Sequence, residues 1–130
     1  MEDRFKKQGM FSWFELLTKD VEGSKKFYTK LLGWTLREFP MEEGESYWVV
    51  KAGEEEVGGI MRMPPAPEGM LPQWGLYITV DDVDAATKKA GQLGAKVLVP
   101  PTDIPNIGRF AALQDPQGAT FSIITYAAEE

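Results

Sequence analysis

The spacing of apolar positions switches repeatedly along the chain, and each switch predicts an element. Residues 10–18, MFSWFELLT, form an apolar and aromatic run of strand length. Asp20 then supplies a helix N-cap, and Val21, Ser24, Phe27, Tyr28, Leu31 and Leu32 recur on one face at 3.6-residue spacing until Gly33 ends the helix. WTLREFPM (34–41), SYWVVKA (46–52) and VGGIMRM (57–63) read as three further strands, with EEGE (42–45) and GEEE (53–56) as the turns between them. The first half is therefore β-α-β-β-β.

PPAPEGMLPQ, residues 64–73, carries four prolines and a glycine, which bars helix and central strand and predicts a linker. The same order follows. WGLYITV (74–80) is a strand, and DVDAATKKAGQL (82–93) a helix capped by Asp81 or Asp82 and ended by Gly94. AKVLVPP, GRFAALQ and ATFSIIT are strands, and DPQG (115–118) is a turn fixed by Asp115. PPTDIPNIG (100–108) reads as a long loop of the kind that closes over binding sites.

Asp20-Val21 overlies Asp82-Val83 at an offset of 62, and Leu32-Gly33 overlies Leu93-Gly94 at 61. This is an internal repeat in which each half needs a partner to cover an apolar face. The expected domain is single, with module 1 at about 11–63, the linker at about 64–73 and module 2 at about 74–126.

Composition changes this picture in one respect. The 130 residues include no His and no Cys, so Ser-His-Asp and Cys-His nucleophile systems, imidazole or thiolate zinc sites and disulfides are all excluded. Any site must use oxygen donors, aromatic rings and backbone. A net charge of -6 disfavours nucleic acid as a partner, since phosphate binding relies on Lys and Arg. No apolar run approaches a membrane span, and MEDRFKKQGM at the start lacks the apolar stretch of a secretory signal. Both point to a cytoplasmic protein without membrane contact, whose N-terminal residues form a polar tail.

The stretches WFELLTKDVEGSKKFYTKLLGW, YITVDDVDAATKKAGQLGAKVLVPP and IGRFAALQDPQGATFSIIT, taken in their order and spacing, resemble the glyoxalase, bleomycin-resistance and extradiol-dioxygenase (vicinal oxygen chelate) superfamily over residues 11–126. The resemblance implies an α+β fold of two βαβββ modules forming a curved mixed sheet around a cavity, paired within one chain or across a homodimer. It further implies a divalent metal held by His, Glu or Gln at four strand positions, acting as Lewis acid. Those positions map to Trp13, Gly75, Ser122 and, with a differing hairpin, the neighbourhood of Ile60; none is a plausible ligand. No metal or other cofactor is expected at the usual place.

Carboxylates could still hold a hard cation. The turn clusters read as solvated charge, and Asp81, Asp82 and Asp84 as polarising a helix N-terminus. Glu15 differs. Alternation puts Phe11, Trp13, Glu15 and Leu17 on one strand face, the face that carries a ligand in the resembling family, so Glu15 would point into the cavity. Such a carboxylate needs a hydrogen-bond partner or suffers a raised pKa. It could bond a neighbouring Thr, Tyr or Arg, anchor a ligand, or act as a general base.

The same alternation adds Gly75, Tyr77 and Thr79 on the fifth strand and Thr120, Ser122 and Ile124 on the last. Tyr47 and Trp48 point opposite ways; Trp48 is the ligand-facing candidate, although parity does not label the faces. Arg62 and Arg109 are possible anchors for an anionic group.

Three functions remain. The preferred one is a metal-independent small-molecule-binding protein using Trp13, Glu15, Trp48, Tyr77, Thr79, Thr120 and Ser122. The second is a lyase- or isomerase-like enzyme with a relocated oxygen-donor metal site or with Glu15 as its catalytic base. The third is a dimeric interaction module whose pocket is filled by its own side chains.

Overall fold

The computed structural model describes residues 2–41, 45–64 and 71–127. Parts of the anticipated first turn and most of the proline-rich linker therefore lie outside the described residues. The elements are β1 (Phe11–Thr18), α1 (Val21–Leu32), β2 (Thr35–Pro40), β3 (Ser46–Ala52), β4 (Glu55–Arg62), β5 (Gln73–Thr79), α2 (Val83–Gln92), β6 (Lys96–Ile104), β7 (Gly108–Gln114) and β8 (Thr120–Tyr126). This is the doubled β-α-β-β-β order. The fold is α+β, built from two βαβββ modules. None of the described helices is long and apolar enough to cross a membrane.

Two compact units share the chain: residues 14–75, and residues 1–13 together with 76–130. In the first unit the strands run β2-β3-β4-β1, with β1 parallel to β4 and the other pairs antiparallel. The Asp20 carboxylate accepts the Gly23 N–H at 2.9 Å and so caps α1, which ends at Gly33 in the left-handed region at φ 72°. Helix α1 covers one face of its sheet, where Leu16, Val50 and Ile60 form the core with Tyr28, Trp34, Leu36 and Trp48 against them.

The second unit repeats the plan as β5-β8-β7-β6, with β5 parallel to β8. Asp82, not Asp81, caps α2 by accepting the Ala85 N–H at 3.1 Å. Val83, Ala86 and Ala90 of α2 pack on Ala111, Leu113 and Ile123. Asp115 holds the 115–118 turn by accepting the N–H groups of Gln117 and Ala119.

Two expectations fail locally. The strand expected over 95–101 runs on to Ile104, so residues 102–104, read as loop, belong to β6 and the connection is confined to 105–107. Pro100 and Pro101 are tolerated because β6 is the edge of its sheet and its pairing with β7 shifts register between Val97, Val99 and Thr102. The N-terminal residues are also more than a polar tail. Asp3–Phe5 form a 3-10 turn, Gly9 and Met10 exchange backbone hydrogen bonds with Thr79, and the Phe5 ring meets Tyr126 edge-on at 4.8 Å.

Candidate functional site

Register labels the two faces of the first unit. Leu16, Ile60 and Trp48 lie in one cross-strand row under α1. The neighbouring row is Glu15, Gly59 and Val49, on the face away from the helix, and Tyr47 shares that face two residues before Val49. The Tyr47 hydroxyl donates to Glu15 Oε1 at 2.9 Å, and both residues are half-buried. The carboxylate therefore has the kind of partner its position demanded.

This pairing is a two-strand reach, because Tyr47 sits on β3, Glu15 on β1, and β4 runs between them. Two strand spacings amount to about 9.6 Å, so the phenol must lie flat across the intervening strand. It can do so only over a residue without a side chain. A Cβ built at Gly59 would stand 2.1 Å from the Tyr47 ring. Gly59 is thus the gap through which the ring reaches the carboxylate. Arg37 and Phe39 stand on the same face, opposite Val49 and Tyr47. The result is a carboxylate oriented by Tyr47 beside Val49 and Phe39, with Arg37 of the same face held by Glu56 at 2.8 Å, and it can accept hydrogen bonds from a ligand's donors.

Trp48 is thereby corrected: it packs in the helix-side core, with the Lys25 ammonium 3.2 Å from its ring centroid, and Tyr47 takes the place assigned to it. Ile60 is likewise in the core, and the β4 residue level with Glu15 is Gly59. Two adjacent glycines inside a strand, Gly58 and Gly59, are the signal in the sequence of such a close approach.

In the second unit Tyr77 is level with Ser122, Ser122 with Ala112, and Thr79 and Phe110 with Ile124, on the face away from α2. The Tyr77 and Phe110 rings are 6.2 Å apart. Thr79 is 2% exposed and its hydroxyl donates to the Arg4 carbonyl at 2.5 Å, so it serves the N-terminal segment. Trp13 stands against Phe5 at 6.5 Å, and Thr120 is exposed opposite Gln114. Ser12 and Tyr126 share a 2.8 Å hydroxyl contact, and burial raises the Tyr126 pKa, with the Ser12 hydrogen bond acting the other way.

Neither arginine presents a free fork. Arg62 donates to the Lys19 carbonyl at 3.2 Å and lies 3.8 Å from Glu45. Arg109 grips Asp84 with two bonds, 2.9 and 3.0 Å, and Asp103 with a third at 2.9 Å, on a depression of about 540 Å³ that Asn106 and Tyr126 also line. Hydrogen bonding from Arg109 lowers the Asp84 pKa, as that from Arg37 lowers Glu56. A depressed carboxylate pKa contributes stability that is complete above the unfolded value, near 3.9 for Asp, and is lost as pH falls through the folded value. Arg109→Gln should therefore lower the melting temperature slightly at pH 6–7, and the gap from wild type should narrow below about pH 4. A gap that stays constant down to about pH 2 would refute the pairing.

Among the described residues no three or more Asp, Glu, His or Cys side chains converge as a metal-holding group. The positions that the resemblance maps to metal ligands, Trp13, Gly75, Ser122 and the neighbourhood of Ile60, carry no carboxylate or imidazole at the named residues.

Fold and sequence agree on the class. The chain belongs to the Glyoxalase/Bleomycin resistance protein/Dioxygenase superfamily, whose model matches residues 10–123. It is 43% identical over 122 residues to CFP32 of Mycobacterium tuberculosis (strain CDC 1551 / Oshkosh), provisionally named a glyoxylase, covering 94% of this chain and 46% of that protein. It is 32% identical over 127 residues to the anthracycline biosynthesis protein DnrV of Streptomyces peucetius, covering 88% and 46%. The chain thus spans about half the length of the curated relatives it matches. Among solved structures it resembles methylmalonyl-CoA epimerase from Mycobacterium tuberculosis, at a TM-score of 0.64, 17% identity and coverage of 92% and 89%. A Bacillus halodurans C-125 protein without assigned function, BH1468, gives a TM-score of 0.69 at 13% identity, covering 95% and 99%. These two likenesses establish the fold.

Proposed function

We propose that this protein binds a small organic molecule without a metal, using the Glu15–Tyr47 pair as its polar anchor. The observation that carries the reading is the tyrosine laid across Gly59 to hold one carboxylate oxygen, which orients Glu15 on a face it shares with Val49, Phe39 and an Arg37 that is paired to Glu56. A carboxylate accepts hydrogen bonds and attracts cations, so the ligand class is a flat, largely apolar molecule bearing hydroxyl or ammonium donors. The relative named for anthracycline biosynthesis is consistent with such a ligand. Tyr77, Phe110 and Ser122 offer a second aromatic surface with a hydroxyl in the other unit.

Native mass spectrometry on protein purified without chelator tests this directly. Metal-free protein retaining an organic adduct is the expected result; a stoichiometric divalent metal, or a bare mass after exposure to cell extract, would overturn it. With the adduct identified, Glu15→Gln and Tyr47→Phe should each weaken binding by about 10- to 100-fold, the worth of a charged hydrogen bond, while leaving the fold intact. Undiminished binding in both variants would remove the pair from the site.

A further inference from the structure

Residues 3–10 are laid as a strap over one end of the second unit's face away from α2. Gly9 N–H donates to the Thr79 carbonyl and Thr79 N–H to the Met10 carbonyl, both at 2.8 Å, and Asp81 N–H donates to Gln8 Oε1 at 2.7 Å. The Thr79 hydroxyl holds the earlier part of the strap through the Arg4 carbonyl. Thr79 and Ile124, level with one another on that face, are only 2% and 3% exposed, although neither belongs to the core under α2. Alternation along β8 puts Tyr126 on the same face as Ser122 and Ile124. Phe5 of the strap meets the Tyr126 ring edge-on at 4.8 Å and the Trp13 ring, tilted, at 6.5 Å. It thereby continues the aromatic surface that Tyr77 and Phe110 begin.

We infer that Phe5 is a built-in occupant of an aromatic-ring subsite, and that the strap opens to let a flat ring of a ligand take its place against Trp13 and Tyr126. Two features support a releasable occupant. First, the strap is lightly held. Lys6, Lys7, Gln8, Gly9 and Met10 are all exposed and the half-buried Phe5 is its aromatic anchor. Segments with few buried apolar contacts open far more readily than the core. Second, the contacts that Phe5 makes, edge-on to one ring and tilted to another, are those any aromatic ring accepts, so nothing in them is particular to a phenylalanine. A tethered ring competes with a free one, and apparent affinity falls by the fraction of molecules whose strap is open. The subsite lies in the unit that does not contain Glu15 and Tyr47, so it stands or falls separately from the anchor proposed above.

The probe is 2-naphthol, a flat and neutral ring system that Arg4, Lys6 and Lys7 do not attract by charge. Calorimetric titration should show Phe5→Ala binding it about 10-fold or more tighter than wild type, even though loss of the ring lowers the melting temperature. Gly9→Ala should tighten binding in the same direction while leaving Phe5 in place. Position 9 has φ 87°, which strains an alanine, and no atom lies within 4 Å of the added Cβ, so the change loosens the strap without a clash. This variant decides alone if Phe5→Ala does not fold. In wild-type hydrogen exchange the amides of Gly9, Thr79 and Asp81 should exchange together, well before those of β7 and β8, with a protection that matches the affinity gained in Phe5→Ala. A purely structural Phe5 would lower stability and leave the probe's affinity as it was. Unchanged or weaker binding in these variants therefore overturns the inference, as do strap amides that exchange only with global unfolding. Equal tightening in Phe27→Ala, which alters a ring 58% exposed on α1, overturns it as well.

Discussion

Gly58→Ala should destabilise the protein by about 3 kcal/mol or more, in the range reserved for mutations with a specific steric cause. A Cβ at Gly58 would lie 2.2 Å from the Phe14 carbonyl oxygen and 3.0 Å from its carbon. Both obstacles are backbone, and Phe14 is the residue level with Gly58 in the parallel β1–β4 pair, so no rotamer change relieves the contact. Only separation of the strands does, and that disturbs the register which sets Glu15 beside Gly59. The neighbouring Gly59→Ala provides the comparison. Its Cβ meets the Tyr47 ring, a side chain that can swing aside, so stability should fall less while the hold on Glu15 is lost. Thermal melts of the two variants read this order. A Gly58→Ala melt within about 2 °C of wild type would mean that β1 and β4 are not this close.

Ile60→Ala carries the second large effect, a loss of about 2–5 kcal/mol, because truncating a buried aliphatic side chain forfeits its transfer free energy and leaves a cavity. Ile60 is 0% exposed and packs with Leu16 and Val50 under α1, level with Trp48. Surrounding strands on both sides, β1 and β3, limit collapse into the space. Ile60→Val should cost only about 0.5–1.5 kcal/mol. Denaturant unfolding of the two variants gives the comparison. If Ile60→Ala cost under 1 kcal/mol and instead altered ligand retention, Ile60 would belong to the ligand-bearing face and the assignment of faces would be reversed.

How far the site could be read in advance follows from the same residues. Alternation along β1 separates Glu15 from Leu16, and the low tolerance for a lone buried carboxylate predicts a partner for it; the partner is Tyr47. Alternation along β3 separates Tyr47 from Trp48 equally well but does not label their faces. That label comes from pairing with β4, interrupted by a register shift between Val50 and Lys51 that no local pattern announces. Arg109 offered a fork for an anion until the fold brought Asp84, 25 residues away in sequence, and Asp103 onto it.

The amino-acid sequence by itself determined the order of elements, the helix caps at Asp20 and Gly33, the repeat of the βαβββ unit and the exclusion of histidine and cysteine chemistry. Each of these rests on interactions within a few residues or on composition, which need no folded context. Only the tertiary structure decided that Tyr47 reaches Glu15 over Gly59, that β6 is an edge strand running on to Ile104, and that the N-terminal segment binds Thr79. Those outcomes depend on which strands become neighbours and in what register, and a one-residue slip exchanges the two faces of a strand without altering its local pattern.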